Sequence, residues 1–176
     1  MEKTAAELMA ELGKDRGYQN KQRAQNERFS NLEKMYANDQ KQLVEELNQA
    51  GFSVTSVWDF VNAGNDYIGA APILIRHLKM KHHPKILAGL ARSLAVPELS
   101  DSDELWNLLV DLYEKTPRDA EIDVPEERGA QEAIAVALDR LAVAKRVDSL
   151  KGLVARNPEG DGVMWLQEKL KVIQAP

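Results

Sequence analysis

The segment 56–96 constrains the fold of this chain more than any other part of the sequence. It begins with capping-box spacing at Ser56 and Asp59 and continues through a turn rich in Gly, Asn and Asp. Two apolar helices follow, with Pro72 placed to start or kink the first and Pro84 to open the second. Such a unit cannot close a hydrophobic core by itself. The sequence therefore predicts a stack of packed helices.

Helical periodicity also runs through the rest of the chain. No stretch alternates with a period of two for long enough to predict a strand, so the chain is predicted to be all-α. Residues 15–50 are predicted to form one long helix or two abutting ones, and Asp39 would cap the second. Ser100 with Asp103, or Asp101 with Glu104, would cap a later helix. The further predicted helices cover 4–12, 57–63, 66–80, 84–96, 104–115, 127–143, 144–156 and 163–173.

A short pattern of large and small residues recurs in three of these helices. Leu90-Ala91-x-x-Leu94 returns as Ile134-Ala135-x-x-Leu138 and as Leu166-Gln167-x-x-Leu170, at spacings of 44 and 32 residues. These spacings are near the repeat length of two-helix solenoids. The longer spacing contains an acidic, proline-bounded loop, and insertions in solenoids map to loops on one face.

On these residues the chain resembles the HEAT-repeat family. The likeness is carried by AAPILIRHL as a first helix and HPKILAGLARSLAV as a second, and it extends over 39–173. It departs from the family at Leu87 and Gln131, where a basic residue is common, and at Gln167. The resemblance implies a right-handed α-α superhelix of about four helix pairs over 39–176, with a helical extension over 1–38, in one structural domain overall. It also implies protein binding, as in small bacterial members.

Charge and composition narrow the classes of partner. The formal net charge is −5 and the isoelectric point is about 5.3, which disfavours binding of nucleic acid and favours a basic protein. The absence of cysteine excludes thiol chemistry, disulfides and thiolate metal sites. No apolar leader or membrane-length segment occurs, so a cytoplasmic protein without membrane contact is predicted.

The sequence predicts no catalytic residue, cofactor or metal. It lacks a glycine-rich phosphate loop, a serine nucleophile elbow and the HExxH pattern. His77, His82 and His83 lie around a basic turn, which a solvated interhelical connection explains better than a metal site does.

An acidic patch is the predicted partner-binding surface. Carboxylates cluster in the loop between two helices and at the start of the helix before it, and turns of a solenoid share its edges, so these charges would steer a basic partner. Helix-cap carboxylates beside a disordered loop are the alternative interpretation. The patch comprises Asp101, Asp103, Glu104, Asp119, Glu121, Asp123, Glu126 and Glu127.

Aromatic and acidic residues near the most regular repeat are secondary candidates. DNA glycosylases that resemble HEAT repeats use concave-face Trp and Asp residues beside a basic surface. Here all three tryptophans, including Trp165, fall in or beside apolar helical stripes, which favours core packing. These secondary candidates are Trp58, Asp59, Asp66, Tyr67 and Trp106.

Together these features predict a non-enzymatic protein-binding module. Its most specific form is a bacterial immunity protein, an antitoxin that covers the active site of a cognate, basic nuclease toxin as a monomer in a 1:1 complex. A HEAT-like DNA glycosylase or nucleic-acid binder, and a scaffold or adaptor, remain as alternatives.

Overall fold

The computed structural model describes residues 4–5, 15–61 and 65–174, except for the side chains of Asn65 and Asp66. Within these residues all regular secondary structure is helical, as the sequence predicts. The chain divides into two compact units, Met1–Asn38 and Asp39–Pro176, which are taken separately below. The predicted helix at 4–12 falls almost wholly outside the described residues.

Eight α-helices and six short 3-10 helices make up the described chain. The α-helices are α1 (Arg16–Asp39), α2 (Lys41–Gln49), α3 (Ala71–Leu78), α4 (Pro84–Ser93), α5 (Asp103–Lys115), α6 (Ala130–Leu141), α7 (Val147–Arg156) and α8 (Val163–Gln174). The 3-10 helices are Val57–Phe60, Asn65–Ala70, Pro97–Leu99, Asp119–Glu121, Pro125–Glu127 and Ala144–Arg146.

In the first unit, the described residues belong mainly to α1. This helix contains no buried residue, and Phe29 is 52% exposed. A break at Gln40 separates it from α2, in which Leu43 and Leu47 are fully buried. The two-helix alternative for 15–50 is therefore confirmed, and the apolar residues of the two helices do not form a single buried stripe.

The second unit is a set of packed neighbouring helices. Consecutive helices pair as α3 with α4, α5 with α6 and α7 with α8, and α2 packs against α3. The second members of these pairs also touch in a row, since α4 packs on α6 and α6 packs on α8. The core therefore lies along α6, whose buried residues include Ala130, Ile134, Ala137, Leu138 and Leu141.

Local sequence rules explain several of the helix boundaries. Ser56 and Asp59 form the predicted capping box, and Pro72 and Pro84 lie in the first turns of α3 and α4. Gly89 permits a close approach between α4 and the 3-10 helix Val57–Phe60, because a Cβ there would lie 2.6 Å from Cγ1 of Val57.

Two predicted caps are wrong. Ser102 caps α5 by accepting a hydrogen bond from the amide of Leu105, in place of Ser100 or Asp101. Asp39 does not cap α2, since its carboxylate accepts hydrogen bonds from His82 and from the backbone of His83. Long-range partners thus replace the local cap at Asp39, whereas at α5 the cap falls on a neighbouring residue.

A polar network links α2 to α3 inside the second unit. The imidazole of His77 is 1% exposed, and its Nε2 lies 3.0 Å from a carboxylate oxygen of Glu46, which also pairs with Arg76. Hydrogen bonds from Gln42, His77 and Arg76 lower the pKa of Glu46 to about 2. The charged form of Glu46 is therefore part of the folded structure.

This lowered pKa predicts an acid limb in the stability profile. The pKa of Glu46 falls from 4.5 to about 2 on folding, so its contribution is complete above 4.5 and is lost as the pH falls towards 2. We expect Glu46→Gln to lower the free energy of unfolding near neutral pH and to flatten its decline in that acid range. Urea unfolding of both proteins across the range measures this. If the stability of the two proteins fell in parallel with pH, the result would contradict the lowered pKa of Glu46.

Candidate partner-binding groove

The side chain of Gln131 completes the carboxyl end of α5. The carbonyl of Tyr113 would normally accept from the amide four residues later, but that residue is Pro117, which has no N–H. Nε2 of Gln131 donates instead to the carbonyl oxygens of Tyr113, at 3.0 Å, and Thr116, at 2.9 Å. Gln131 is only 3% exposed, so this replacement is made inside the core.

The same amide fixes the turn between α7 and α8. Oε1 of Gln131 accepts from the backbone amide of Asp161 at 2.7 Å, and the hydroxyl of Tyr113 donates to the Asp161 carbonyl at 3.0 Å. A carboxylate oxygen of Asp161 accepts from the amide of Asp119 at 2.6 Å, and Asp119 accepts from the amide of Gly129 at 2.7 Å. The α5–α6 connection and the α7–α8 turn are therefore joined by one hydrogen-bond network, in which Gln131 and Tyr113 are buried.

Replacing the buried amide tests this network. We expect Gln131→Met, which keeps the approximate length of the side chain, to lower the free energy of unfolding by about 2–4 kcal/mol, because it leaves buried backbone groups unpaired. Gln49→Met on the exposed surface of α2 is the matched control and should change stability by about 0.5 kcal/mol or less. Denaturant unfolding measures both. Equal losses of unfolding free energy in the two variants would contradict a stabilising role for the amide of Gln131.

Two glycines let the α7–α8 turn approach the core. A Cβ at Gly160 would lie 2.3 Å from the hydroxyl oxygen of Tyr113, so any larger residue would displace that hydroxyl. Gly162 has a φ of +74° in the left-handed region, and a Cβ there would lie 2.7 Å from Cβ of Ala135 and 3.0 Å from the ring of Trp165. Because both positions lack a side chain, the start of α8 can lie close against α6.

Substitution of Gly162 separates backbone strain from this close contact. Gly51 also has a left-handed φ, of +95°, but a Cβ there would meet nothing within 4 Å. We expect Gly51→Ala to cost about 1–2 kcal/mol from the backbone alone. Gly162→Ala should cost a further ~1–3 kcal/mol, because the added methyl overpacks the contact with Ala135. Thermal or urea unfolding of the two variants measures the difference, and equal costs would contradict the close packing.

A groove of about 420 Å³ lies where this turn meets α6 and α8. Its acidic side is formed by Asp119, Glu132, Glu159 and Asp161. Its apolar side is formed by α8, where Met164 is 69% exposed and Trp165 is 40% exposed. We call this site the α6–α8 groove, and it combines an exposed aromatic ring with several carboxylates.

The α6–α8 groove keeps a negative charge. No Lys or Arg is among the described residues that line it. Arg118, which is not one of its lining residues, pairs with Glu159 and also with Glu121. Asp119 and Asp161 accept backbone hydrogen bonds that do not neutralise them. Glu132 contributes a half-buried carboxylate. The site thus favours a cation over an anion.

A second groove, of about 250 Å³, lies beside the first. It is lined by residues that include Glu114, Arg118, Glu121 and Arg156. Its charges pair with each other, since Arg118 binds Glu121 and Arg156 binds Glu114. The hydrogen bonds from Arg118 lower the pKa of Glu121, so this carboxylate is bound within the chain. This groove therefore offers little net charge to a partner.

The structure separates the predicted acidic patch into two groups. Asp101, Asp103 and Glu104 lie at the start of α5, whereas Asp119 and Glu121 follow its end. A helix of 13 residues places these groups about 20 Å apart.

The group at the start of α5 is paired with cations of the same chain. Lys145 binds Asp101 at 2.9 Å, and this contact lowers the pKa of Asp101. Arg146 pairs with Asp103, and Lys79 pairs with Glu104. These local ion pairs offset the field that the carboxylates would otherwise present to a partner.

The remaining patch residues lie in the α5–α6 connection. Asp123 is exposed, and Glu126 and Glu127 are half-buried in the 3-10 helix Pro125–Glu127. Arg128 donates to the carbonyl oxygen of Ile122 and so bends this segment back on itself. Of the eight patch carboxylates, all of which the structure describes, Asp119 alone lines the α6–α8 groove.

Besides Trp106, three of the secondary candidates have defined contacts within the second unit. Lys85 lies over the ring of Trp58 at 4.6 Å, and Asp59 accepts hydrogen bonds from Thr55, which lower the pKa of Asp59. The buried ring of Tyr67 lies 4.8 Å from that of Phe60. Asp66 is the fifth candidate, and its side chain lies outside what the structure describes.

Trp106 is the most buried of the candidate aromatic residues, at 1% exposure. Its Nε1 donates to Oγ of Ser149 at 3.0 Å, and the guanidinium of Arg146 lies 5.4 Å from its ring. Core packing is therefore confirmed for this tryptophan.

Core packing is the wrong prediction for Trp165. The inward face of α8 is made by Val163, Leu166 and Leu170, which leaves Met164 and Trp165 on another face. The spacing of those inward residues was readable in the sequence and is the signal that could have identified an exposed aromatic residue. Glu132, Glu159 and Asp161 carried no comparable signal, because only packing brings them together.

Comparison with known proteins supplies no relative: no family model, curated protein or solved structure matches the chain. Among the described residues, no group of three or more His, Asp or Glu side chains could hold a metal ion. A search of the same residues finds no helix with the length and apolarity needed to cross a membrane.

Proposed function

We propose that this chain is a non-enzymatic protein-binding module that recognises a basic partner. The observation that supports this function best is the α6–α8 groove, where exposed apolar surface on α8 adjoins carboxylates from three segments. Aromatic residues and methionine are enriched in protein interfaces, and complementary charge accelerates association.

We further propose that the second unit is an α-solenoid of the HEAT type. Three helix pairs follow one another, and their second helices pack in the order α4, α6, α8. Pro72 and Pro84 occupy first turns in the two helices that carry the resemblance. In this arrangement the acidic connection between α5 and α6 would form one rim of the binding site.

The most specific form of the proposal is an immunity protein that inhibits a nuclease toxin. A nuclease is basic where it binds the phosphate backbone, so an acidic module could occupy that path. The net charge of −5 and the negative α6–α8 groove both support this pairing. The product of the reading frame next to the gene is the partner to test, as an inactive variant.

Charge reversal in the groove tests this function. We expect Glu132→Lys with Glu159→Lys to weaken binding to that partner at least about tenfold, chiefly by slowing association, because the variant repels a basic surface. Surface plasmon resonance at two salt concentrations measures the rates. The effect should shrink as salt rises.

A matched variant separates local from global charge. Glu45→Lys with Asp111→Lys makes the same change in net charge outside the groove, and each residue pairs with a lysine one helical turn away. It should weaken binding no more than about twofold. Equal losses in both variants, or no binding by the unaltered protein, would contradict the proposal.

A further inference from the structure

We infer that the α6–α8 groove accepts an arginine side chain of the partner, with its guanidinium against the ring of Trp165 and beside the carboxylate of Glu132. This inference rests on the proposed function and specifies the chemistry of the group that the groove recognises. It would make one arginine the central contact of the interface.

The three tryptophans of the chain provide the first argument. Trp106 lies beneath the guanidinium of Arg146, which also pairs with Asp103, and Trp58 lies beneath the ammonium of Lys85. In the described part of the chain, Trp165 has no such cation over its ring, although it is 40% exposed and adjoins carboxylates. The groove therefore offers two components of the Arg146 site, an aromatic face and a carboxylate, without the cation.

The chemistry of the groove provides the second argument. A guanidinium is planar, stacks on aromatic rings and binds carboxylates through paired hydrogen bonds, whereas an ammonium is compact and more strongly hydrated. The groove of about 420 Å³ is open to solvent and has room for such a side chain. Arginine should therefore be preferred to lysine.

The exposed surface of α8 defines the residues beside that arginine. Met164 and Val172 are 69% and 71% exposed, and Val172 lies on the face of Trp165 because it follows that residue by two helical turns. An apolar side chain next to the arginine would cover part of this surface. The occupant is thus a segment of the partner that carries an arginine flanked by apolar residues.

A short blocked peptide with one arginine between leucines tests the inference on the full chain. Matched peptides carry citrulline, which has the same shape without the charge, or lysine. We expect the arginine peptide to shift the indole N–H resonance of Trp165, assigned with Trp165→Phe, and to bind at least about tenfold more tightly than the citrulline peptide. The lysine peptide should fall between them.

Variants of the groove complete the test. Trp165→Ala and Glu132→Gln should each weaken binding of the arginine peptide about five- to tenfold. Glu168→Gln, on the same helix and paired with Lys171, should leave it unchanged. Circular dichroism checks that each variant is folded. If Trp165→Ala does not fold, Glu132→Gln still tests the site.

The results separate this inference from the proposed function. Equal binding of the arginine and citrulline peptides, no binding of either, or shifts confined to Trp58 or Trp106 would overturn the arginine site. If the intact partner still binds and responds to charge reversal, the binding function stands without it. If the arginine peptide binds but the basic partner does not, the inference stands and the partner assignment fails.

Discussion

The arrangement of the candidate site depends on one buried side-chain amide. Pro117 removes the donor that would close the last turn of α5, and Gln131 supplies that donor from the following helix. Because the amide also accepts from the backbone of Asp161, the same side chain positions the α7–α8 turn. A buried polar group with all of its partners specifies one geometry, since any other arrangement leaves donors or acceptors unpaired.

Pairing within the chain determines which carboxylates remain available to a partner. Lys79, Lys145 and Arg146 bind the carboxylates at the start of α5, and Arg118 binds Glu121 and Glu159. These ion pairs within the chain therefore neutralise part of a surface that contains many carboxylates. In the α6–α8 groove, by contrast, a negative charge and exposed apolar surface occur together.

Much of the helical architecture could be predicted because short-range rules govern it. The capping box at Ser56 and the first-turn prolines Pro72 and Pro84 follow from neighbouring residues. One of the wrong caps occurs where a distant group competes with those rules. Asp39 accepts from His82, 43 residues along the chain, instead of capping α2.

The sequence by itself determined that the chain is helical and acidic and that a long connection separates α5 from α6. Helical periodicity and turn residues are properties of short segments, and net charge is a sum over the residues. Only the tertiary structure decided which charges are neutralised and which residues meet at the groove. Glu132, Asp161 and Trp165 lie on different segments, and the contacts of Gln131 and Gly162 bring those segments together. Such contacts depend on packing across the chain, which no local pattern encodes.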